Sequence, residues 1–320
     1  MENRSVHAYA ALIPWPQPVL EFLGFVAAFL ATGAVGFRFI VIRPWIRGNA
    51  RTTPGDFRNL AHQAARRAAT IGLIGAALAM ALFVLDVHAQ AAERHLPFGQ
   101  VFGAGAAIPL GAGLGLLAVI GFGLAIVGIG PGWHLAAAGV ILGALRPAFF
   151  GQWTRLITPI HMLAGGMWIG TLFHVVVAGI WLTLQSGLSS ERRGIFVREI
   201  VARFSPFALV SAGVLATFGI LTAWRNLKQI SALWTTPYGI TLIVKLCVVA
   251  TVLALGAFNF RRQRPLLGSE SAARALRRSA TAELLVAMLV LAVTSILVSL
   301  PSPKPPLHRP SSRARAGSPE

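Results

Sequence analysis

Charge is scarce in this sequence and cysteine is nearly missing. Only 12% of the 320 residues are Asp, Glu, Lys or Arg, against roughly a quarter in soluble domains. The single cysteine, Cys247, excludes a disulfide framework and any thiolate metal cluster. There is no GxxxxGK[ST] loop, no CxxC or CxxCH and no HExxH. Those absences remove phosphate-loop nucleotide hydrolysis, c-type haem attachment and zincin chemistry. Paired carboxylates inside the apolar runs are also missing, so nothing points to a hydrolase or to any other enzyme. No loop between apolar runs exceeds about 25 residues, which leaves no room for a second, soluble domain. An internal repeat of the sort that marks many secondary transporters is absent too.

What the chain does contain is hydrocarbon: 55% of its residues are hydrophobic. Eight apolar runs approach the roughly 17–25 residues needed to cross a bilayer as a helix. They are Val19–Ile42, Ala68–Val87, Ile108–Ile129, Trp133–Phe150, Ile157–Leu184, Ala202–Trp224, Tyr238–Phe260 and Thr281–Leu300. The expected fold is all-α, a polytopic transmembrane helical bundle of about eight spans, with the lipid bilayer as its first partner. The N-terminal apolar run, at 24 residues, exceeds the roughly 7–15 of a signal-peptide core. It therefore reads as a span and not as a cleaved signal.

The net charge of +18 raises nucleic acid as a partner, and its placement argues against that. Sixteen of the 28 Lys and Arg residues fall in three loops, Arg43–Arg67, Arg192–Arg203 and Arg261–Arg278. All three lie on one side of an eight-span chain, while the loops on the other side carry few basic residues. That is the positive-inside pattern, which makes these loops cytoplasmic and the N-terminus periplasmic in a bacterial setting. One feature dissents. The tail 301–320, rich in Pro, Ser and Arg and expected to be disordered, would lie outside with Lys304, Arg309, Arg313 and Arg315. The span count stays open by one, and the fourth run, ending at Arg146-Pro147, is the weakest. In the last basic loop, Ser269 or Ser271 is the expected N-cap of the eighth helix. The glycine-rich segment Phe98–Gly132 is expected to pack helices closely.

Polar residues inside the runs are the candidates for function. "TPIHMLAGGMWIGTLFH" (Thr158–His174) places two histidines in the fifth run. At 100° per residue His161, Gly165, Trp168 and Leu172 share one stripe, and Gly166, Gly170 and His174 fall nearly opposite. The two imidazoles stand about 20 Å apart along the axis and cannot share a metal ion. Gly166 and Gly170 form a GxxxG face, so a neighbouring backbone should come close and accept a hydrogen bond from His174. His161 lies about one turn below the outer surface, at the level where Asp86, His88, Glu93, His95 and Glu21 cluster. Imidazole with carboxylate suits divalent copper or zinc. The candidate metal set is therefore His161, His88, Asp86 and Glu21, with solvated loop or interfacial roles as the alternative for the acidic residues. Lys245, two turns into the seventh run, either snorkels outward or pairs with Asp86 or Glu21. His134 and Glu283 read as interfacial anchors at cytoplasmic helix ends.

From about Trp153 to Leu300 the sequence resembles the copper resistance protein D (CopD) family of bacterial inner-membrane proteins. The stretches that carry the likeness are "HMLAGGMWIGTLF", "RFSPFALVSAGVLATFGILTAWRNL", "LWTTPYGITLIVKL" and "LALGAFNFRRQRPLL". His161, Trp168, Arg203, Phe204, Ser205, Trp224, Pro237, Tyr238, Gly239, Lys245 and Asn259 fall on that family's recurring positions. The resemblance divides the chain into an N-terminal four-helix membrane segment (1–151), a CopD-like four-helix membrane domain (152–300) and the tail. It implies a copper transport or copper tolerance protein, with a copper ion as cargo moved across the inner membrane toward the cytoplasm. It also implies a separate periplasmic copper-binding partner of the CopC type. Two other readings stay open. One is a b-type haem electron carrier, using His88 with His161 or His134 with His174. The other is a membrane scaffold in which the histidines only pack.

Overall fold

The computed structural model describes residues 15–44, 55–227 and 229–301. Arg47 and Arg51 of the first basic loop, and the tail 302–320 with its four basic residues, lie outside the described residues. Among the described residues eight principal helices follow one another: α1 (Gln17–Ile42), α2 (Gly55–Glu93), α3 (Ala107–Ile126), α4 (Gly132–Ala144), α5 (Trp153–Leu184), α6 (Ser190–Leu227), α7 (Pro237–Leu266) and α8 (Glu270–Ser299). Short helices at Phe98–Gly103 and Ala232–Thr235 precede α3 and α7. No strand forms among the described residues.

Seven of the eight are long and apolar enough to cross a bilayer, and α4, at 13 residues, is the shorter exception. The chain still returns across nearly the whole of α3. Gly121 of α3 lies against Gly132 and Ala136 of α4, and Gly139 of α4 lies against Ala118. Arg146, just beyond α4, reaches Gly111 near the start of α3 and caps the ring of Phe83 at 6.0 Å. The small residues of the glycine-rich segment thus let two helices touch along their backbones, as expected in lipid. The all-α polytopic bundle of about eight spans is what the structure shows.

The core is built around α1 and α5. Each has 61% of its apolar span shielded by the protein, whereas α6 and α7 have only 11%. α1 packs on α2, on α5 and on α8. Where α1 meets α5, Gly33 lies on the backbone of Gly170 and Thr32 on Gly166. The GxxxG face of α5 therefore does meet a neighbouring backbone. α6 and α7 hardly touch each other, which leaves space between them for the cavities described below.

α2 and α6, of 39 and 38 residues, are each about 58 Å long at 1.5 Å per residue, against a hydrocarbon core of about 30 Å. Their surplus projects at the arginine-rich end. There Arg192 pairs with Asp56 at 2.9 Å and Arg193 with Glu270 at 3.1 Å, joining α2, α6 and α8. The Arg192–Asp56 pair is exposed and contributes little, while Arg193 and Glu270 are more shielded. Ser269 caps α8 by accepting from the Ala272 amide at 3.3 Å, one of the two caps expected. Thr236 caps α7 by accepting from Gly239 at 3.1 Å.

Several helices widen into π turns: α1 at Phe37–Ile42, α5 at Gly166–Gly170 and Val175–Trp181, and α7 at Asn259–Gln263. Such turns are rare and gather at functional sites. Here Trp168 and Asn259 each sit within one.

Candidate functional site

A cavity of about 720 Å³ lies among α5, α6, α7 and α8 in the half of the bundle that holds His161. Its lining is mostly aliphatic, so the few polar groups stand out: His161 from α5, Gln229 from the turn after α6, Lys245 from α7 and Thr294 from α8. The His161 ring is held from one side. Its Nδ1 is 3.0 Å from the carbonyl oxygen of Leu215 on α6. A carbonyl can only accept, so Nδ1 carries the proton and donates it. The lone pair of Nε2 is then free, which is the tautomer a metal-ligating histidine needs, with a backbone oxygen fixing the ring. The approach depends on Gly219, one turn beyond Leu215. A Cβ there would stand 3.1 Å from Cε1 of the imidazole.

Lys245 faces the same cavity. Neither carboxylate considered as its partner reaches it: Glu21 accepts from Gln17 at 2.7 Å and Asp86 from Gln90 at 2.9 Å. Among the described residues no ion pair forms at Lys245.

A second cavity, of about 460 Å³, continues toward the arginine-rich end. The two share Trp168, Ala212 and Leu253 as lining residues, so they lie in series with the Trp168 indole at the junction. Beyond Trp168 the walls carry Ser205, Asn259, Glu283, Arg261 and Arg264. Asn259 donates through Nδ2 to Oε2 of Glu283 at 2.8 Å, and its Oδ1 accepts from the Ser279 hydroxyl.

Glu283 corrects the sequence-based expectation of an interfacial anchor: it is 4% exposed. The reason lies in where α8 begins. The apolar run starts at Thr281, but the helix starts at Glu270, so thirteen residues and about 20 Å of helix precede Glu283. The polar first turns of α8 hid its depth. A readable signal existed in Asn259, an amide within an apolar run that needed a polar partner.

The other candidates are dispersed. The exposed His88 has its ring 4.5 Å from Phe98, and neither it nor Asp86 nor Glu21 lines the cavity at His161. His174 is fully buried, and its Nδ1 donates to Gly170 of its own helix at 2.8 Å. The expected acceptor on a neighbouring helix is therefore not used, although α1 does approach. The ring instead folds back to the carbonyl four residues earlier. Nε2 of His174 is buried without a partner, and Phe37 lies 6.3 Å away. His134 is exposed beside Phe39. No three of His, Cys, Asp and Glu come together to hold a metal ion among the described residues.

Residues 198–297, which span most of α6, all of α7 and most of α8, match the family described as copper resistance protein D, CopD. Over this stretch the chain is similar to the CopD family. The CopD match includes Lys245, Asn259 and Glu283, while His161 and Trp168 lie just ahead of it on α5. The copper transport protein CutJ of Bacillus subtilis (strain 168) is 29% identical over 160 residues. That alignment covers 49% of this chain and 27% of CutJ, so the chain spans about a quarter of the length of this relative. No solved structure matches the chain.

Proposed function

We propose that this multi-pass membrane protein carries copper through the α5–α8 bundle, from the cavity at His161 past Trp168 to the cavity at Asn259. The observation that supports this most is the pair of cavities in series, with one imidazole nitrogen free at the far end from the arginines. The relation to CopD and to a protein named for copper transport makes copper the natural cargo. Neither cavity is lined by methionine or cysteine. Imidazole, amide and carboxylate favour divalent copper over the softer monovalent ion. A single imidazole also binds weakly enough to let go, which conduction requires.

The arginine-rich ends of α2, α6 and α8 support a cytoplasmic assignment of that side under the positive-inside rule. His161 then opens toward the periplasm, and a separate copper-binding protein of the CopC type would deliver the ion there. The membrane potential favours inward movement by about 2.3 kcal/mol per charge per 100 mV, and a divalent ion gains twice that. In this reading α1 walls the path and α2–α4 buttress it.

The test is Cu²⁺ binding to detergent-purified protein, followed by Cu²⁺ uptake into vesicles. His161→Ala is expected to weaken binding by roughly tenfold or more, equivalent to about 1.4 kcal/mol, and to slow uptake in proportion. Unchanged binding and uptake in that variant would favour a scaffold in which His161 only packs. A b-type haem site needs two imidazoles facing one slot, and neither cavity is lined by more than one histidine. A Soret band in the purified protein would reverse that preference.

A further inference from the structure

Glu283 sits in the spanning part of α8 with no lysine or arginine paired to it among the described residues. Its surroundings are specific. Ser279 donates to Asn259, which turns the Asn259 amide so that Nδ2 points at Oε2 of the carboxyl group. The other oxygen, Oε1, faces Gly256, where a Cβ would stand 3.2 Å away, and the group lines the cavity beyond Trp168. One oxygen is thus held and the other left open to whatever occupies that space. A carboxylate buried in hydrocarbon without a counter-charge is neutralised, either by a proton or by a cation.

We propose that Glu283 is a cation–proton exchange site: it holds a proton at rest and exchanges it for the ion arriving past Trp168. In the exchange the Oε1–H bond breaks, an oxygen–copper bond forms, and the proton leaves through the cavity to the cytoplasmic water. No electron is transferred. The other charged groups facing this space are Arg261 and Arg264, both from α7, and Arg264 stacks on Phe260 at 5.1 Å. The walls from α5 and α6 contribute Trp168, Leu172, Phe204 and Ser205, none of which titrates near neutrality. From α1, Arg38 is turned toward Trp133 of α4. Two fixed guanidinium groups at the mouth oppose a free cation there, so discharge of the ion is eased when Glu283 takes its proton back. Because the proton is released to and regained from the same side, the exchange gates the ion's step without moving a net proton across the bilayer. It takes its cargo from the copper reading above, but the exchange itself can be seen without transport.

The experiment is infrared difference spectroscopy of the full chain in detergent, before and after addition of copper sulfate, beside Cu²⁺ uptake into vesicles. The expected result is a carbonyl stretch of a protonated carboxylic acid that bleaches with Cu²⁺. That band should be absent in Glu283→Gln, an isosteric variant that keeps the bond from Asn259, and present but shifted in Glu283→Asp. Uptake by Glu283→Gln is expected to fall at least tenfold, with Cu²⁺ binding at His161 retained. A wild-type spectrum lacking the band, a band that copper leaves unchanged, or one that persists in Glu283→Gln would overturn the proposal. Bleaching without any vesicle uptake would sink the transport reading and leave the exchange site standing.

Discussion

A histidine can ligate only if one ring nitrogen is held while the other stays free, and for His161 the holding depends on a missing side chain one helix away. Gly219 lets the imidazole lie against α6 and reach the Leu215 carbonyl. In Gly219→Ala the new methyl group meets the ring edge, and the ring must turn or withdraw. Alanine is the better helix former by about 1 kcal/mol, so the variant should melt no lower than wild type. Copper binding should nevertheless weaken several-fold. Calorimetric titration beside a melting curve separates the two, and unaltered affinity would mean that the ring is positioned by something else. The contrast between His161 and Glu283 shows what the sequence could carry at this scale. An imidazole in an apolar run is conspicuous wherever the helix begins. A carboxyl group near the end of such a run is ambiguous until the start of the helix is known.

At the scale of elements, the joint between α1 and α5 is among the closest backbone contacts in the bundle. Gly33 and Gly170 bring two backbones together, and any side chain at Gly33 would fall on the α5 backbone. Gly33→Val should therefore destabilise the protein by about 1–3 kcal/mol, the range for forcing volume into a packed interior. Gly24→Val on the same helix is the control, because a side chain there meets nothing within 4 Å. Denaturation midpoints of the two variants should differ clearly; equal midpoints would show that α1 can simply shift. Half of this joint was legible: "GGMWIG" announces a close approach, but not which helix makes it. The π turns were not legible at all. An extra residue in a turn leaves composition and hydrophobic period almost untouched, yet it sets the direction of Trp168 and Asn259. The spacing that put His161 and His174 on different faces survived, while the acceptor for His174 did not.

For the whole molecule, an all-α bundle of about eight spans could be read from apolar length. The way the spans are shared could not. α1 comes first in the chain, yet it packs on α5 and α8, the helices that wall the cavities. Residues 153–320 expressed alone should therefore be less stable than the full chain, because the faces that meet α1 would turn to lipid. The break at Gly151–Gln152 is exposed, so residues 1–152 co-expressed as a second polypeptide should associate with the fragment and restore its stability. Co-purification through a tag on one piece checks this. A fragment that melts at the full-length temperature by itself would show α1 to be dispensable.

The Gly33–Gly170 contact also has a bearing on how the protein is made. α2 can cover one side of α1 as soon as it is synthesised, with Gly75 seated on Ala27 and Ala31. The glycine side has to wait for α5, more than a hundred residues later in the chain. At translation rates of roughly 5–20 residues per second, that delay is on the order of ten seconds. During it the narrowest strip of α1 stands bare in the bilayer or against the insertion machinery. The ribosome thus delivers the two halves of this joint more than a hundred residues apart. A nascent chain stalled before residue 170 would be the natural target of any quality-control factor that reads unsealed helix faces.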